Sequence, residues 1–423
     1  MQSTHNKNTV RYFLLLVGLL AFLFFSNDFG LVDVQKTAIV MAVGIDREDD
    51  TYIITSQIAI PQSSKQGKQT EAVQIVSRGK TVADAFKQIN AKTGWYPKLV
   101  FCNLIVLGEK ATKQNVFDAL DFFIRDEYLS DDCFVATTMG TAKDLLNTSA
   151  LVDPSSNIAM EKVLSEHAKQ VGSVLPATLR EFAIGYFGDS HSSFLPIFKT
   201  EPQQEKIGSD GSSSSSDNSS SDSNSSSSSA ENSSSNSSSG DSSGGSSAQK
   251  SAQDKPVFSA GETALFVDGK KVGVLTSAET FAIGAIQNKL RLAPYSVTQG
   301  DNTCTLTVRH NAPKMRFQVT ENDRAHLKIT LTLSAGTLDY SKALGIENIK
   351  DAGSEIDGVF ALAEKKLAAE IDSVFEKCRK TGCDLFGIKE KLLKYEKAHF
   401  QALSDTALDG AILDVEVRFR NVR

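Results

Sequence analysis

Thr37–Ile45, TAIVMAVGI, followed by Tyr52–Ile60, YIITSQIAI, and stopped by Pro61, is the stretch on which the fold turns. The first run is too short and too uniformly apolar for a surface helix and reads as a buried strand. Asp46–Asp50 is a polar turn, and the second run returns as a strand, so the pair predicts a hairpin. Working outward, Thr81 followed by Asp84 predicts a capped helix through Ala83, Phe86 and Ile89. Leu99–Leu107 reads as a strand, Phe117, Leu120 and Ile124 recur at helical spacing, and Cys133–Thr138 returns to strand character. Strands interleaved with helices predict an α/β or α+β class, with mixed sheets flanked by helices in two or three domains.

The second half carries an antiparallel signature. Thr263–Val267 and Lys271–Leu275 flank Asp268-Gly269, a turn suited to positive φ. Cys304, Leu306 and Val308 alternate with threonines, and Leu327, Ile329, Leu331 and Leu333 alternate with Lys328, Thr330 and Thr332, as half-buried strands do. Phe360, Ala363, Leu367, Ile371, Val374 and Cys378 mark one face of a long amphipathic helix. Leu413, Val415, Val417 and Phe419 close the chain as a strand.

Between the halves, residues 208–255 are dominated by serine with scattered Asn, Gly and acids. Such a composition has almost no apolar surface with which to offset the entropy of ordering, and it is read as a flexible, disordered linker. The expected domains are therefore 1–32, 33–207 and 256–423, with a further division near residue 296 left open. The exposed sheet faces and amphipathic helices of the two halves are the expected partner surfaces, and the linker is expected to let them reorient.

Residues 1–32 are read as a cytoplasmic tip and a membrane anchor. Tyr12, Phe13, Leu14, Leu15, Leu16, Val17, Leu19, Leu20, Phe22, Leu23, Phe24 and Phe25 form an apolar run with no polar face. No small residues precede a cut, so an uncleaved transmembrane helix is expected. Lys7 and Arg11 before the run and Asp28 and Asp33 after it place the bulk of the chain outside the cytoplasm.

Composition narrows the function classes. With 45 Lys+Arg against 51 Asp+Glu, a net charge of −6, the chain offers no broad basic surface for nucleic acid. Its 5 cysteines, Cys102, Cys133, Cys304, Cys378 and Cys383, lack paired zinc spacing, and only Cys378 and Cys383 are close enough in sequence to suggest a bridge. Gly188-Asp189-Ser190-His191 lacks the glycine elbow of a serine esterase and reads as a polar loop. Gly79-Lys80-Thr81 lacks the first glycine of a phosphate loop and reads as a helix start. Glu166-His167 lacks the second histidine of a zinc helix, and His310, His326 and His399 are scattered, so no metal, cofactor or catalytic site is expected. Asp46 is read as a turn former rather than a binding residue.

Several segments resemble one family in order and spacing. Ala38-Ile39-Val40, Gly44-Ile45-Asp46, Leu99-Val100-Phe101, Gly108-Glu109-Lys110-Ala111 and Phe123-Ile124-Arg125-Asp126 are similar to the N-terminal part of the Ger(x)C family, the C subunits of spore nutrient-germinant receptors. Gly261-Glu262-Thr263-Ala264-Leu265-Phe266, Val272-Gly273-Val274-Leu275, Glu279-Thr280 and Asp384-Leu385-Phe386-Gly387 resemble its C-terminal part. Members typically carry a lipid-modified cysteine before the Gly-Ile-Asp element. Here Asp28 stands at that position, so the resemblance implies that a protein helix has replaced the lipid. Asn103 stands where the family often has histidine, and the serine tract is an insertion. The resemblance implies a non-enzymatic, membrane-anchored receptor subunit on the outer face of the spore inner membrane. It would be needed for nutrient-triggered germination through complex assembly or signal coupling, with a receptor A subunit and a permease-like B subunit as partners. The alternative carried by the same anchor is a cell-envelope enzyme or a wall-binding protein.

Overall fold

A computed structural model describes residues 12–20, 37–59, 72–150, 152–153, 155–202, 256–299, 302–340 and 349–422. The strands are β1 (Thr37–Glu48), β2 (Thr51–Ala59), β3 (Ala72–Gly79), β4 (Tyr96–Lys98), β5 (Leu104–Leu107), β6 (Phe134–Thr138), β7 (Ser192–Glu201), β8 (Val257–Val267), β9 (Lys270–Leu275), β10 (Ala293–Gln299), β11 (Asn302–Val319), β12 (Ala325–Tyr340) and β13 (Ile412–Asn421). The helices are α1 (residues 12–20), α2 (Val82–Thr93), α3 (Glu109–Thr112), α4 (Phe117–Ile124), α5 (Ala142–Leu146), α6 (Ser156–Leu164), α7 (Ala168–Val171), α8 (Leu179–Phe187), α9 (Ser277–Ile286), α10 (Ile349–Thr381), α11 (Ile388–Tyr395) and α12 (Lys397–Leu403).

A large sheet runs β3-β2-β1-β5-β6-β7-β8-β9, with β4 beside the start of β1. Its centre, β1-β5-β6-β7, is parallel, and its flanks are antiparallel hairpins. Helices cover both faces. Val43, Ile45, Ile105 and Leu107 face a core shared with Ile89 of α2, Leu120 of α4 and Phe182 of α8. Ala42, Leu104, Val106 and Phe198 face a second core with Leu145 of α5 and Met160 of α6. That double cover is why the apolar runs are continuous rather than alternating. It also leaves the large sheet without the open face expected from sequence as a partner surface, whereas the small sheet keeps one.

The small sheet, β10-β11-β12-β13, is antiparallel except for the parallel β12–β13 pair, whose crossover contains α10, α11 and α12. Phe360, Ala363, Leu367, Ile371, Val374 and Cys378 of α10 are all buried against it, on the face the spacing predicts.

The serine tract does not part the chain into two separately folded halves. β7 before it and β8 after it pair antiparallel from Ser192↔Val267 to Glu201↔Val257. The tract connects neighbouring strands of one sheet, so the boundary expected at 207/256 falls inside the large sheet. The turn after β8 follows expectation: Asp268 (φ 50°) and Gly269 (φ 72°) are both left-handed, as a two-residue hairpin with matched twist requires. The expected strand Leu99–Leu107 is shorter, because the N–H of Cys102 turns back to the carbonyl of Leu99 and pairing starts only at Leu104.

α1 is exposed on every side, with Tyr12, Phe13, Leu14, Leu15, Leu16, Val17, Leu19 and Leu20 at least 44% accessible. Among the described residues no helix is long and apolar enough to cross a membrane. Phe22, Leu23, Phe24, Phe25 and Asp28, and the whole of residues 208–255, lie outside the described residues.

Candidate partner surface

In sheets with a parallel centre, ligands usually bind beyond the carboxyl ends of the strands. Here that place is filled by the protein itself. Asp46, at the end of β1, accepts the N–H of Ala142 at Oδ1 (2.8 Å) and of Lys143 at Oδ2 (3.1 Å), the first amides of α5. The N–H of Gly108 donates to the carbonyl of Ile45, and that of Glu109 to the carbonyl of Gly140, tying the ends of β1, β5 and β6 together. A Cβ on Gly108 would run into Asp46 Oδ1, so glycine is required there for the carboxylate to reach α5. Burial pushes the Asp46 carboxyl above its ordinary value, against the two amide hydrogen bonds. Asp46 is thus an internal cap that clamps β1 to α5, rather than the simple turn former expected.

The other sequence-marked residues are also structural. Ser190 donates its hydroxyl to Glu390 Oε1 (2.6 Å), while His191 Nδ1 lies 2.9 Å from the carbonyl of Tyr186, so the two form no nucleophile–base pair. Gly79-Lys80-Thr81 is the entry to α2, with the Thr81 hydroxyl accepting the N–H of Asp84. Glu166 pairs with Lys169 (2.6 Å), His326 Nδ1 lies 3.2 Å from Gln318 Nε2, and His399 lies 3.7 Å from Glu396. Asn103 donates to Glu161 (3.2 Å), linking the entry of β5 to α6.

All five cysteines are buried, and Cys378 and Cys383 form no bridge. Burial pushes the Cys378 thiol up to about 12 and holds Cys383 well above its ordinary value, so neither is poised for exchange. Cys383 Sγ instead points to the carbonyls of Phe266 (3.5 Å) and Ser193 (3.8 Å) of the large sheet. Its neighbour Asp384 donates its N–H to Ser192 Oγ (2.9 Å) and accepts the N–H of Lys389 at Oδ2 (2.9 Å). The Asp384-Leu385-Phe386-Gly387 segment therefore fastens the helical crossover of the small sheet to β7 and β8.

A second fastening, which the sequence reading missed, is polar and buried. Glu279 of α9 caps its own helix through Thr276, receives Ser373 Oγ (2.8 Å) and pairs with Lys377 Nζ (2.6 Å) of α10. The signal was present as Thr276-x-x-Glu279, a capping box. What no local pattern contained was Lys377, far along the chain.

The feature most suited to a partner is an apolar groove of about 390 Å³ between α4 and α8, lined by Phe123, Ile124, Leu129, Ala183, Ile184 and Phe187. Ile184 is 66% and Phe187 69% exposed. The wall behind is rigid: Phe117 stacks on Tyr186 at 4.2 Å and meets Phe187 edge-on at 4.9 Å. The rim is charged, with Arg180 donating from Nε and Nη2 to both oxygens of Asp131 at 2.7 Å, which holds that carboxyl below its ordinary range. An apolar centre with a polar rim is the anatomy of a protein interface. Phe123 and Ile124 belong to a segment quoted above, but α8 had no sequence expectation, so the groove itself was not foreseen.

Comparison with known proteins agrees with this architecture. Residues 31–200 match the spore germination protein N-terminal domain family, and residues 261–419 match the spore germination B3/GerAC-like C-terminal family. Spore germination protein B3 of Bacillus subtilis (strain 168) is 26% identical over 216 residues, covering 49% of this chain and 55% of that protein. Spore germination protein A3 of the same organism is 25% identical over 190 residues, covering 43% and 49%. The chain thus spans about half the length of the curated relatives it matches. The crystal structure of the GerBC protein shares the fold, with a TM-score of 0.50 at 15% identity, covering 90% of this chain and 97% of that one. With both domains present in order on a mixed two-sheet fold, the chain belongs to the Ger(x)C family of spore germination proteins.

Proposed function

We propose that this chain is the membrane-anchored, non-catalytic C subunit of a spore germinant receptor, acting through complex assembly or signal coupling with A and B subunits. The observation that carries the reading is the ordered match of both germination domains in one chain. The apolar run around α1 supports insertion as a single-pass helix, with residues 37–423 on the outer face of the spore inner membrane. The groove between α4 and α8 is the partner contact, because it combines a packed aromatic wall with exposed aliphatic side chains.

Affinity capture from mild-detergent extracts of spore membranes, after an alkaline wash, tests both parts. The chain is expected to resist the wash and to bring down a permease-like protein and a second large membrane protein in fixed proportion. Leu20→Asp with Phe25→Asp should release it, each charge costing about 2.5–3.5 kcal/mol at mid-span. Ile184→Asp with Phe187→Ser should leave it in the membrane without its partners. Unchanged capture by that groove variant would refute the contact, and loss of the unmodified chain to the wash would refute the anchor.

A further inference from the structure

We propose that the end of the large sheet at which β1 starts lies in the headgroup layer of the membrane, with Tyr96, Phe101 and Tyr128 as its aromatic contacts. This rests on the reading that the N-terminal apolar run is inserted.

The first argument is placement. β1, β4, β5 and β6 are parallel, in register Thr37↔Tyr96, Ala42↔Leu104 and Leu104↔Phe134, so their starts share one end of the sheet. The segments leading into those strands carry Tyr96 (58% exposed), Val100 (49%), Phe101 (59%) and Tyr128 (57%). Lys98, opposite Ile39 in register, stands over the Tyr128 ring at 4.5 Å. Phe101 shares a concave site of about 400 Å³ with Ile39 and Met41 of β1. Single exposed apolar residues are ordinary on any protein, but four of them gathered at one end of a sheet mark a contact.

The second argument is reach. An apolar run that ends at Phe25 leaves residues 26–36 before β1, and one that ends at Val32 leaves residues 33–36. At no more than about 3.6 Å per residue, Thr37 stays within roughly 15–40 Å of the point where the chain leaves the bilayer. The short connection therefore keeps the end of the sheet that β1 enters within reach of the headgroup layer.

The third is chemistry. Tyrosine pairs an apolar ring with a polar tip, which suits the boundary between acyl chains and water. Charge does not drive the contact: Lys98 is taken up by the Tyr128 ring, and Arg125 and Arg180 are paired with Asp121 and Asp131.

The chain carries its own reporter. Trp95, its single tryptophan, is half-buried next to Tyr96. The full chain is reconstituted in phosphatidylcholine vesicles carrying a doxyl spin label either near the headgroup or near the end of the acyl chain, and vesicle-bound protein is isolated by flotation. The expected result is loss of Trp95 emission, larger with the headgroup-proximal label, and recovery of that emission in Tyr96→Ser/Phe101→Ser/Tyr128→Ser, whose far-ultraviolet circular dichroism should match the parent. Protein that floats with the vesicles but keeps its full Trp95 emission overturns the apposition, keeps the anchor and leaves a protein partner as occupant of the edge. Failure to float overturns both readings. Equal quenching in the triple variant overturns the role of the three rings.

Discussion

β5 of the large sheet, Leu104–Leu107, is buried at every residue, whereas β12 of the small sheet alternates, with Leu327, Ile329, Leu331 and Leu333 inside and Lys328, Thr330 and Thr332 half-exposed. The difference follows from how each sheet is covered. Helices on both faces of the large sheet demand apolar side chains in both directions, while the small sheet has one face against α10 and one open to solvent. The two sheets also differ in how the chain builds them. The small sheet is contiguous in sequence, from Ala293 to Asn421, but the large one is assembled from both sides of the serine tract.

Separating the chain at the tract is the strongest way to break this comparison. Residues 1–207 expressed alone would leave β7 as a bare edge, stripping Ser193, Phe194 and Leu195 of their partners Phe266, Leu265 and Ala264 on β8. Neither 1–207 nor 256–423 is expected to show a cooperative thermal transition by itself, and mixing them is expected to restore one. A sharp transition in either piece alone would return the tract to the role of a tether between independent domains.

Single substitutions probe the two cores at a smaller scale. Phe266, fully buried and edge-on to Phe182 at 5.5 Å, should cost about 3–5 kcal/mol on change to alanine. Leu331→Ala in the small sheet should cost about 2–5 kcal/mol. Thr332→Ala, on the open face of the same strand, should stay within about 0.5 kcal/mol in urea unfolding. A cost for Thr332 comparable to that of Leu331 would mean that the small sheet is covered on its second face too.

The length of the connection sharpens the comparison in the opposite direction, by stabilising. Because Glu201 and Val257 are paired, residues 202–256 close a loop between adjacent strands. Loop closure changes by about 0.6 kcal/mol per doubling of length, so shortening this connection eightfold should raise stability by about 2 kcal/mol. In a chain of two independent halves the same deletion would change nothing.

These expectations show where sequence reading succeeds. The alternating strands β11 and β12, the heptad-like face of α10 and the Asp268-Gly269 turn were legible because each is set by neighbours a few residues away. The low-complexity composition of 208–255 was equally plain, but composition carries no information about which strands flank it. The β7–β8 pairing depends on register across the tract. β7 itself, Ser192–Glu201, contains Pro196 and begins in a serine-rich stretch, so its strand character was weak. For the groove, Ile184 and Phe187 look like any other apolar residues in sequence. Their exposure arises only because α8 turns Leu179 and Phe182 to the core instead.

The smallest effect is the most discriminating, because two carboxylates in different regions, Glu279 and the half-buried Asp46, titrate in opposite senses. Burial opposes ionisation of Glu279, but hydrogen bonds from Lys377, Thr276 and Ser373 outweigh it and hold the carboxyl below its ordinary value. Its contribution to stability is therefore present above the unfolded pKa and lost as pH falls through the folded one. Asp46 is the reverse. Burial, with repulsion from Asp144 and Glu48, raises it despite the amides of Ala142 and Lys143. Its contribution is complete below the unfolded pKa and fades as pH rises through the folded one. Urea unfolding between about pH 3 and pH 6 should accordingly show Glu279→Gln with a shallower acid-side loss than the parent, and Asp46→Asn with a steeper rise toward neutral pH. Identical slopes for parent and Glu279→Gln would mean that Lys377 does not hold that carboxylate in its charged form.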